Sequence, residues 1–377
     1  MTAAPTEETQ APDLLYSETE DDLRAAVRSL LADRCDAPTV LGRIESDTPY
    51  DPQLWKGLAA DIGTAGLLVP EHLGGQGAGH REAAVVLEEL GRSVAPVPYL
   101  TSAVVATETL LALEKQDGPV TALLGELAAG RKVAVLAIPF SASEPDAVQP
   151  AGVVAGCLEG EVTGVADAPA ADVLLVPTTD GLFAVDTRSE GVAVTPLVPL
   201  DLTRPLADIT LTSAVGTRLA DGASAVHAVR QGLLAGAGLL ASEQLGLAEW
   251  CLTETVRYTR ERHQFNRPVG SFQALKHRMA QLWLEVVSAR AAARNAADAL
   301  ATGSPDTRLA VAVAQAYCSK VAVHAAEECI QLHAGIGMTW EHPAHLYLKR
   351  AKADSIGYGT AGHHREVIAD IVDLPAP

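Results

Sequence analysis

Aromatic side chains make up only 4% of the 377 residues. So thin a supply disfavours an all-β core lined with large rings, and with Ala abundant it favours helices packed closely through small contact residues. Positive charge is also scarce. The chain carries 28 Lys and Arg against 47 Asp and Glu, a formal net charge of −19. A surface of that sign repels phosphate backbones, so no nucleic-acid partner is expected. The longest apolar stretches, such as Gly232 to Ala241, reach about ten residues, against the roughly 20 that a membrane-spanning helix needs, and no span is expected. The five cysteines (Cys35, Cys157, Cys251, Cys318, Cys329) are odd in number and show no CxxC spacing. They read as reduced thiols in a cytoplasmic setting. The start, MTAAPTEETQAPD, lacks the basic and apolar regions of a secretory signal and reads as a disordered tail over residues 1–18.

What is present is periodicity, and it changes twice along the chain. From 19 to 125 the apolar residues fall at helical spacing: Leu23, Ala26, Val27, Leu30 and Leu31 share one face, as do Ala83, Val86, Leu87 and Leu90. This predicts an all-α domain of four to six short helices. Over 126–222 the texture turns to short β-branched runs, VAVLAI, EVTGV, VLLVPT and LFAVD, separated by turn residues. A small middle β domain is predicted there. From 223 to 377 the helical period returns in segments at about 224–260, 271–302, 306–334 and 341–371, which predict a C-terminal four-helix bundle. The fold class is therefore α+β, in the order α, β, α.

Several local patterns invite chemistry. GGQGAG at 74–79 follows no strand and sits in no βαβ alternation, so a tight loop is a better reading than a dinucleotide site. The late histidines His333, His342, His345, His363 and His364 lack the i, i+4 pair of a helical metal site; polar contacts at the surface or an interface are expected, and no metal. The segment Arg260–Gly270, RERHQFNRPVG, places three arginines in eight residues where one long helix ends. Two readings stay open at this point: cations solvated beside a helix C-terminus, or a fork that grips a phosphate or pyrophosphate. No nucleophile elbow, P-loop or kinase signature occurs.

Taken together, VPEHLGGQGAG (69–79), RERHQFNRPVGSFQALKH (260–277), QLHAGIGMTWEHPAHLYLKRA (331–351) and IGYGTAGHHRE (356–366) closely resemble the acyl-CoA dehydrogenase family. The match runs along essentially the whole chain, and the order of its motifs agrees with the α, β, α layout. The resemblance implies FAD, bound between subunits, and α,β-dehydrogenation of an acyl-CoA thioester: a carboxylate removes the α proton while the β hydrogen leaves as hydride. An electron-transfer flavoprotein is the implied acceptor. It also implies that Arg262, Phe265, Gln273, Gln331 and Gly335 reach a neighbour's FAD, with Arg262 on the pyrophosphate, Phe265 packed near the cofactor and Gly335 open to close backbone approach.

The same resemblance exposes two departures. Related enzymes carry the carboxylate base either just before the Gly-Thr of the last motif or early on the first long bundle helix. Those positions are Tyr358 and, by an ungapped count from Phe265, Gly236. Neither is a carboxylate, and Glu243 lies about two helical turns, roughly 10 Å, beyond Gly236. No catalytic residue is assigned in this chain, and Glu243 reads as a solvated or paired helix residue. The Thr-Glu-Pro…Gly-Ser-Asp segment that cradles a subunit's own flavin also has no clear equivalent in AIPFSASEPDAVQPAGVVAG. The grip for a neighbour's cofactor is kept while the chain's own centre is not. That asymmetry, with DLTR at 201–204 and WEHPAHLYLKRA at 340–351, resembles the non-catalytic subunit of heteromeric α2β2 dehydrogenases of steroid side-chain degradation. A bulky steroid-CoA substrate and a related catalytic partner subunit are implied. The alternatives are a self-sufficient homomeric dehydrogenase with a relocated base, and a scaffold of the same fold without flavin.

Overall fold

The computed structural model describes residues 13–374, apart from 47, 49, 117 and 146–150. Helix α1 (Glu18–Arg34) starts at a reciprocal cap: Ser17 Oγ accepts from the Glu20 N–H and the Ser17 N–H donates to Glu20 Oε2. Short helices α2 (Ala37–Ile44) and α3 (Pro52–Lys56) follow, each with proline in its first turn and an Asp N-cap. Helix α4 (His80–Ser93) is buried along most of its length. It is reached through the 3₁₀ turn Glu71–Leu73 and the Gly74–Gly79 loop, so that loop follows no strand. A π-helical stretch, Tyr99–Ala106, leads into α5 (Thr107–Leu111), and α6 (Gly118–Ala128) ends the first helical region. The boundary expected after residue 125 falls inside α6, because Leu127 and Ala128 continue its buried face.

The tail expected over 1–18 is corrected in part. Residues 1–12 lie outside the described residues, but the segment just before α1 is docked. Tyr16 donates its hydroxyl to Glu88, 2.9 Å to each carboxylate oxygen, and its ring lies between the guanidiniums of Arg24 (4.3 Å) and Arg294 (4.2 Å). The Asp13 and Leu15 carbonyls accept from Arg81 at 2.6 Å. A polar composition concealed a strap whose anchors come from α1, α4 and the bundle.

The middle region holds two four-stranded sheets. One has the order β1 (Ala134–Leu136), β4 (Val173–Pro177), β5 (Gly181–Asp186), β8 (Thr217–Asp221), with β1 parallel to β4. The other has the order β2 (Gly152–Val154), β3 (Cys157–Ala166), β7 (Leu206–Ala214), β6 (Val192–Pro196), and is antiparallel throughout.

Asp221 N-caps the 40-residue α7 (Gly222–Glu261), the spine of the last region. Helices α8 (Gln273–Thr302) and α9 (Thr307–His333) pack along it, followed by α10 (Ala344–Asp354) and α11 (Ala361–Ile371). The fourth segment, expected to be continuous over 341–371, is broken by the turn Ser355–Thr360. There Tyr358 (φ 51°) and Gly359 (φ 107°) take left-handed backbone that no helix continues through. Where α4 crosses α7, a Cβ on Gly91 would fall 2.2 Å from the Glu243 carbonyl oxygen and one on Gly246 2.0 Å from that of Glu88. Only glycine permits that approach. Trp250 stacks on Tyr347 at 3.6 Å and the Tyr347 hydroxyl donates to the Arg92 carbonyl at 2.6 Å, which pins α10 to α7 and α4. The segment Thr307–Met338 is long and apolar enough by composition to cross a membrane, but 61% of its most apolar window is buried inside the protein.

Candidate functional site

The five residues of the expected flavin grip lie at one end of the bundle. Arg262 caps α7, and a tight hairpin follows, β9 (His263–Gln264) pairing with β10 (Arg267–Pro268). Its two turn residues, Phe265 (φ 54°) and Asn266 (φ 58°), both adopt left-handed backbone, the pattern of a two-residue type I′ hairpin. A phenylalanine there costs about 1–2 kcal/mol of backbone strain, yet its ring is 86% exposed. Its local contact is an edge-to-face one with Phe272 at 6.1 Å, which leaves most of the ring in solvent. Gln273 opens α8 directly after the hairpin, exposed. Gln331 and Gly335 stand exposed at the far end of α9 and in the 3₁₀ turn Ala334–Met338 behind it. No atom lies within 4 Å of a Cβ built on Gly335. The stack of Tyr258 on His333, 4.3 Å between centroids, holds the ends of α7 and α9 together and so brings both halves of the set to one side.

At the other candidate centre the arrangement is closed. The two positions at which the family resemblance looks for a base meet each other: the Tyr358 ring packs against bare Gly236. Tyr358 is 4% exposed and burial pushes its phenol up from the ordinary tyrosine value, so it stays protonated. The Phe140 carbonyl accepts from the Tyr358 N–H (2.9 Å) and the two rings meet edge to face at 5.3 Å. Phe140 belongs to the AIPFSASEP segment, so that loop and the IGYGT turn are fastened together. The void left among Thr101, Val105, Ile138, Phe140 and Tyr358 is about 10 Å³, room for no more than a single water.

Beyond the Tyr358 ring lies a cleft of about 510 Å³, lined in part by Ser143, Leu234, Val311 and His364. Among the described residues Glu144 is the one carboxylate that lines it, and its two oxygens face Arg230 (3.6 Å) and Arg308 (3.8 Å).

Behind Phe140 the structure buries a charge network that the sequence did not disclose. Arg204 bonds Glu243 (2.7 and 2.8 Å) and Asp354 (2.8 Å); Arg350 bonds Asp201 (2.5 Å), Thr203 (2.6 Å) and the same Glu243. All are at most 5% exposed, and the Arg204 guanidinium lies 5.1 Å from the Phe140 ring. Burial pushes the Glu243 carboxyl up, but the two guanidiniums outweigh it and hold it below the ordinary carboxylate range. Burial, reinforced by Glu243, raises Asp354 well above that range. Glu243 is thus a paired residue, as its position on α7 led one to expect, though buried rather than solvated. The signal for the network was the DLTR and YLKRA segments, which meet here.

The late histidines correct the surface reading: His333 is fully buried and His364 6% exposed. His333 and His342 converge on Glu254 of α7, with Nε2 to Oε1 distances of 3.9 and 3.8 Å. Spacing along the late motif could not reveal a partner some 80 residues earlier.

The family model described as acyl-CoA dehydrogenase, C-terminal domain matches residues 225–372, and the acyl-CoA dehydrogenase, N-terminal domain model matches 17–114. The chain belongs to the acyl-CoA dehydrogenase family. It is 37% identical to the acyl-CoA dehydrogenase IpdE2 of Mycobacterium tuberculosis over 87% of this chain and 89% of that one. Among solved structures it resembles the Tcur3481-Tcur3483 steroid ACAD (27% identical, TM-score 0.84, covering 94% of this chain and 98% of that one). It resembles equally the ChsE4-ChsE5 complex of Mycobacterium tuberculosis (27% identical, TM-score 0.84, covering 97% and 100%). The family comprises FAD-dependent oxidoreductases acting on acyl-CoA thioesters, and FAD is the cofactor. The exposed end of the bundle fits that group chemically. The Arg262 side chain has no hydrogen-bond or ion-pair partner among the described residues, and beside it stand an exposed aromatic ring, two amides and an open backbone, a set matched to a pyrophosphate joined to ring systems.

Proposed function

We propose that this chain is the non-catalytic subunit of a heterotetrameric α2β2 acyl-CoA dehydrogenase, lacking a base of its own and completing the FAD site of a related catalytic partner. The observation that carries the reading is the contrast between its two ends. Phe140, Tyr358 and Gly236 close the chain's own centre, whereas Arg262, Phe265, Gln273, Gln331 and Gly335 stand exposed, the Arg262 side chain without a partner among the described residues.

Bound FAD supplies the hydride acceptor for α,β-dehydrogenation. The chain's own residues bind and orient. Arg262 neutralises the pyrophosphate with a planar donor fork, Phe265 covers a ring face, Gln273 and Gln331 donate amide hydrogen bonds, and Gly335 admits the cofactor against backbone. The α proton is taken by a carboxylate of the partner. The substrate is a bulky acyl-CoA of the steroid class and the acceptor an electron-transfer flavoprotein. The steroid ACAD and the two-component complex among its structural neighbours support the substrate class and the pairing. Five free cysteines suit a reduced, cytoplasmic setting.

The visible absorption spectrum tests this directly. The chain expressed alone is expected to be colourless, and with its partner to carry about half a flavin per chain, as shared sites require. A yellow, fully loaded and active chain alone overturns the reading and favours a homomeric enzyme, for which the 510 Å³ cleft beside Tyr358 offers the only argument. In that case a complex with a substrate analogue must show a carboxylate within about 3 Å of the α carbon.

A further inference from the structure

The Glu254, His333 and His342 cluster plays no part in the reading above, yet it sits between the two halves of the grip. Glu254 lies two turns before Arg262 on α7. His333 is the last residue of α9, and the next residue, Ala334, takes a left-handed φ of 54° before the chain reaches Gly335. His342 stacks on His333 at 4.2 Å between centroids. The Glu254–His333 contact, beside the Tyr258–His333 stack, therefore bears on the spacing of the Arg262 hairpin and the Gly335 turn.

The hydrogen bonds assign the protons. His333 Nδ1 lies 2.7 Å from the Cys329 carbonyl oxygen and donates to it. Its Nε2 is buried, without a hydrogen-bond partner, and faces the Glu254 carboxylate. A lone pair aimed at a carboxylate is repelled and an N–H is attracted, so the geometry favours the imidazolium. His342 Nδ1 accepts the Ala344 N–H at 3.2 Å, so its Nε2 also carries a proton toward Glu254. Arg257 covers both Glu254 oxygens from the solvent side, at 2.5 and 2.9 Å. A carboxylate so occupied, facing a protonated ring nitrogen, is built as a charged node and not as a three-ligand metal cage.

We infer that Glu254 and His333 are positioning residues for the flavin grip, a half-buried carboxylate paired with a buried imidazolium, which holds the Arg262 hairpin and the Gly335 turn at the spacing the cofactor needs. This rests on the grip proposed above. The groups facing His333 are Cys329 on its own helix, with Cys251 behind it, Glu254 and Tyr258 from α7, and His342 from the segment before α10. Burial pushes the imidazole down, but Cys329 and Glu254 together push it further up, to about 9. The pair is therefore intact at neutral pH and is lost as pH rises through that value.

The test uses the FAD-loaded complex with its partner subunit, washed by gel filtration over a range of alkaline pH, with retained flavin read by absorbance. Wild type is expected to lose flavin with a midpoint near 9. Glu254→Gln removes the counter-charge and should move the midpoint down, by as much of the upward push as Cys329 does not supply. Arg257→Gln, on the solvent side, leaves Glu254 to the imidazoles alone and should move it up. Opposite shifts are the signature of a charge node; mere loosening moves both variants the same way and overturns the inference. If Glu254→Gln does not assemble, the direction of the Arg257→Gln shift decides. Unchanged profiles in both variants, while Arg262→Ala unloads the flavin, overturn the node alone. Arg262→Ala without effect overturns the grip and the node together.

Discussion

A Cβ built on Gly236 would lie 3.2 Å from Cε2 of Tyr358 and 2.7 Å from Cγ2 of Val105. No carboxylate fits at the first position while the tyrosine holds the second. That Gly236 and Tyr358 are both without a carboxylate is thus one packing arrangement.

Tyr358→Phe should leave turnover of the assembled enzyme within about twofold, because a buried phenol held protonated contributes no proton transfer. Dye-coupled oxidation of an acyl-CoA checks this. A drop of about a hundredfold, the size expected on removing a general base, would make Tyr358 catalytic.

Phe265→Gly separates presentation from stability. Glycine relieves the left-handed strain at φ 54° at some cost in chain entropy, so the isolated chain should be unchanged or up to about 1 kcal/mol more stable in urea unfolding. The complex should nevertheless lose flavin faster. A phenylalanine kept only for local packing would give the reverse.

Glu243→Gln leaves two buried guanidiniums short of a counter-charge and should destabilise the chain by about 3–5 kcal/mol in denaturant titration. The pH dependence has a definite sign. A carboxylate held below its unfolded value of about 4.3 contributes stability above that pH and loses it as acid carries the solution through the folded value. Wild type should show this acid limb and the variant should lack it.

His364 supplies a second, distinct limb. Burial pushes its imidazole down to about 4 while Nε2 donates to the Tyr358 carbonyl at 3.1 Å. Between the unfolded value of about 6.5 and the folded one, only the unfolded chain takes up the proton, so stability falls on acidification by up to about 1.4 kcal/mol per pH unit. His364→Gln keeps a donor toward the carbonyl and should flatten that slope. Unfolding midpoints across this pH range, for both proteins, decide it.

Much was legible in order along the chain. The α, β, α succession follows from hydrophobic period, which is local, and the motif around Arg262 carried the family. Errors arose where neighbours in space are distant in sequence. The strap at Tyr16 looked disordered because its anchors, Glu88, Arg24 and Arg294, belong to three different helices. His333 was expected to make polar contacts at the surface or an interface, because Glu254, its partner inside the fold, stands on another helix. The break between α10 and α11 escaped because IGYGT keeps apolar spacing while its backbone turns left-handed.

By itself the amino-acid sequence determined the element types, the family and the absence of a carboxylate at two motif positions, since each depends on residue identity and short-range spacing. Only the tertiary structure decided what fills that place. The zip of Phe140 to Tyr358, the network of Arg204 and Arg350 around Glu243, and the node that ties the end of α7 to the end of α9 all join residues many positions apart. Burial and pairing of charge are properties of the packed chain, in which the Glu243 that reads as a solvated or paired helix residue becomes the centre of a desolvated ion network.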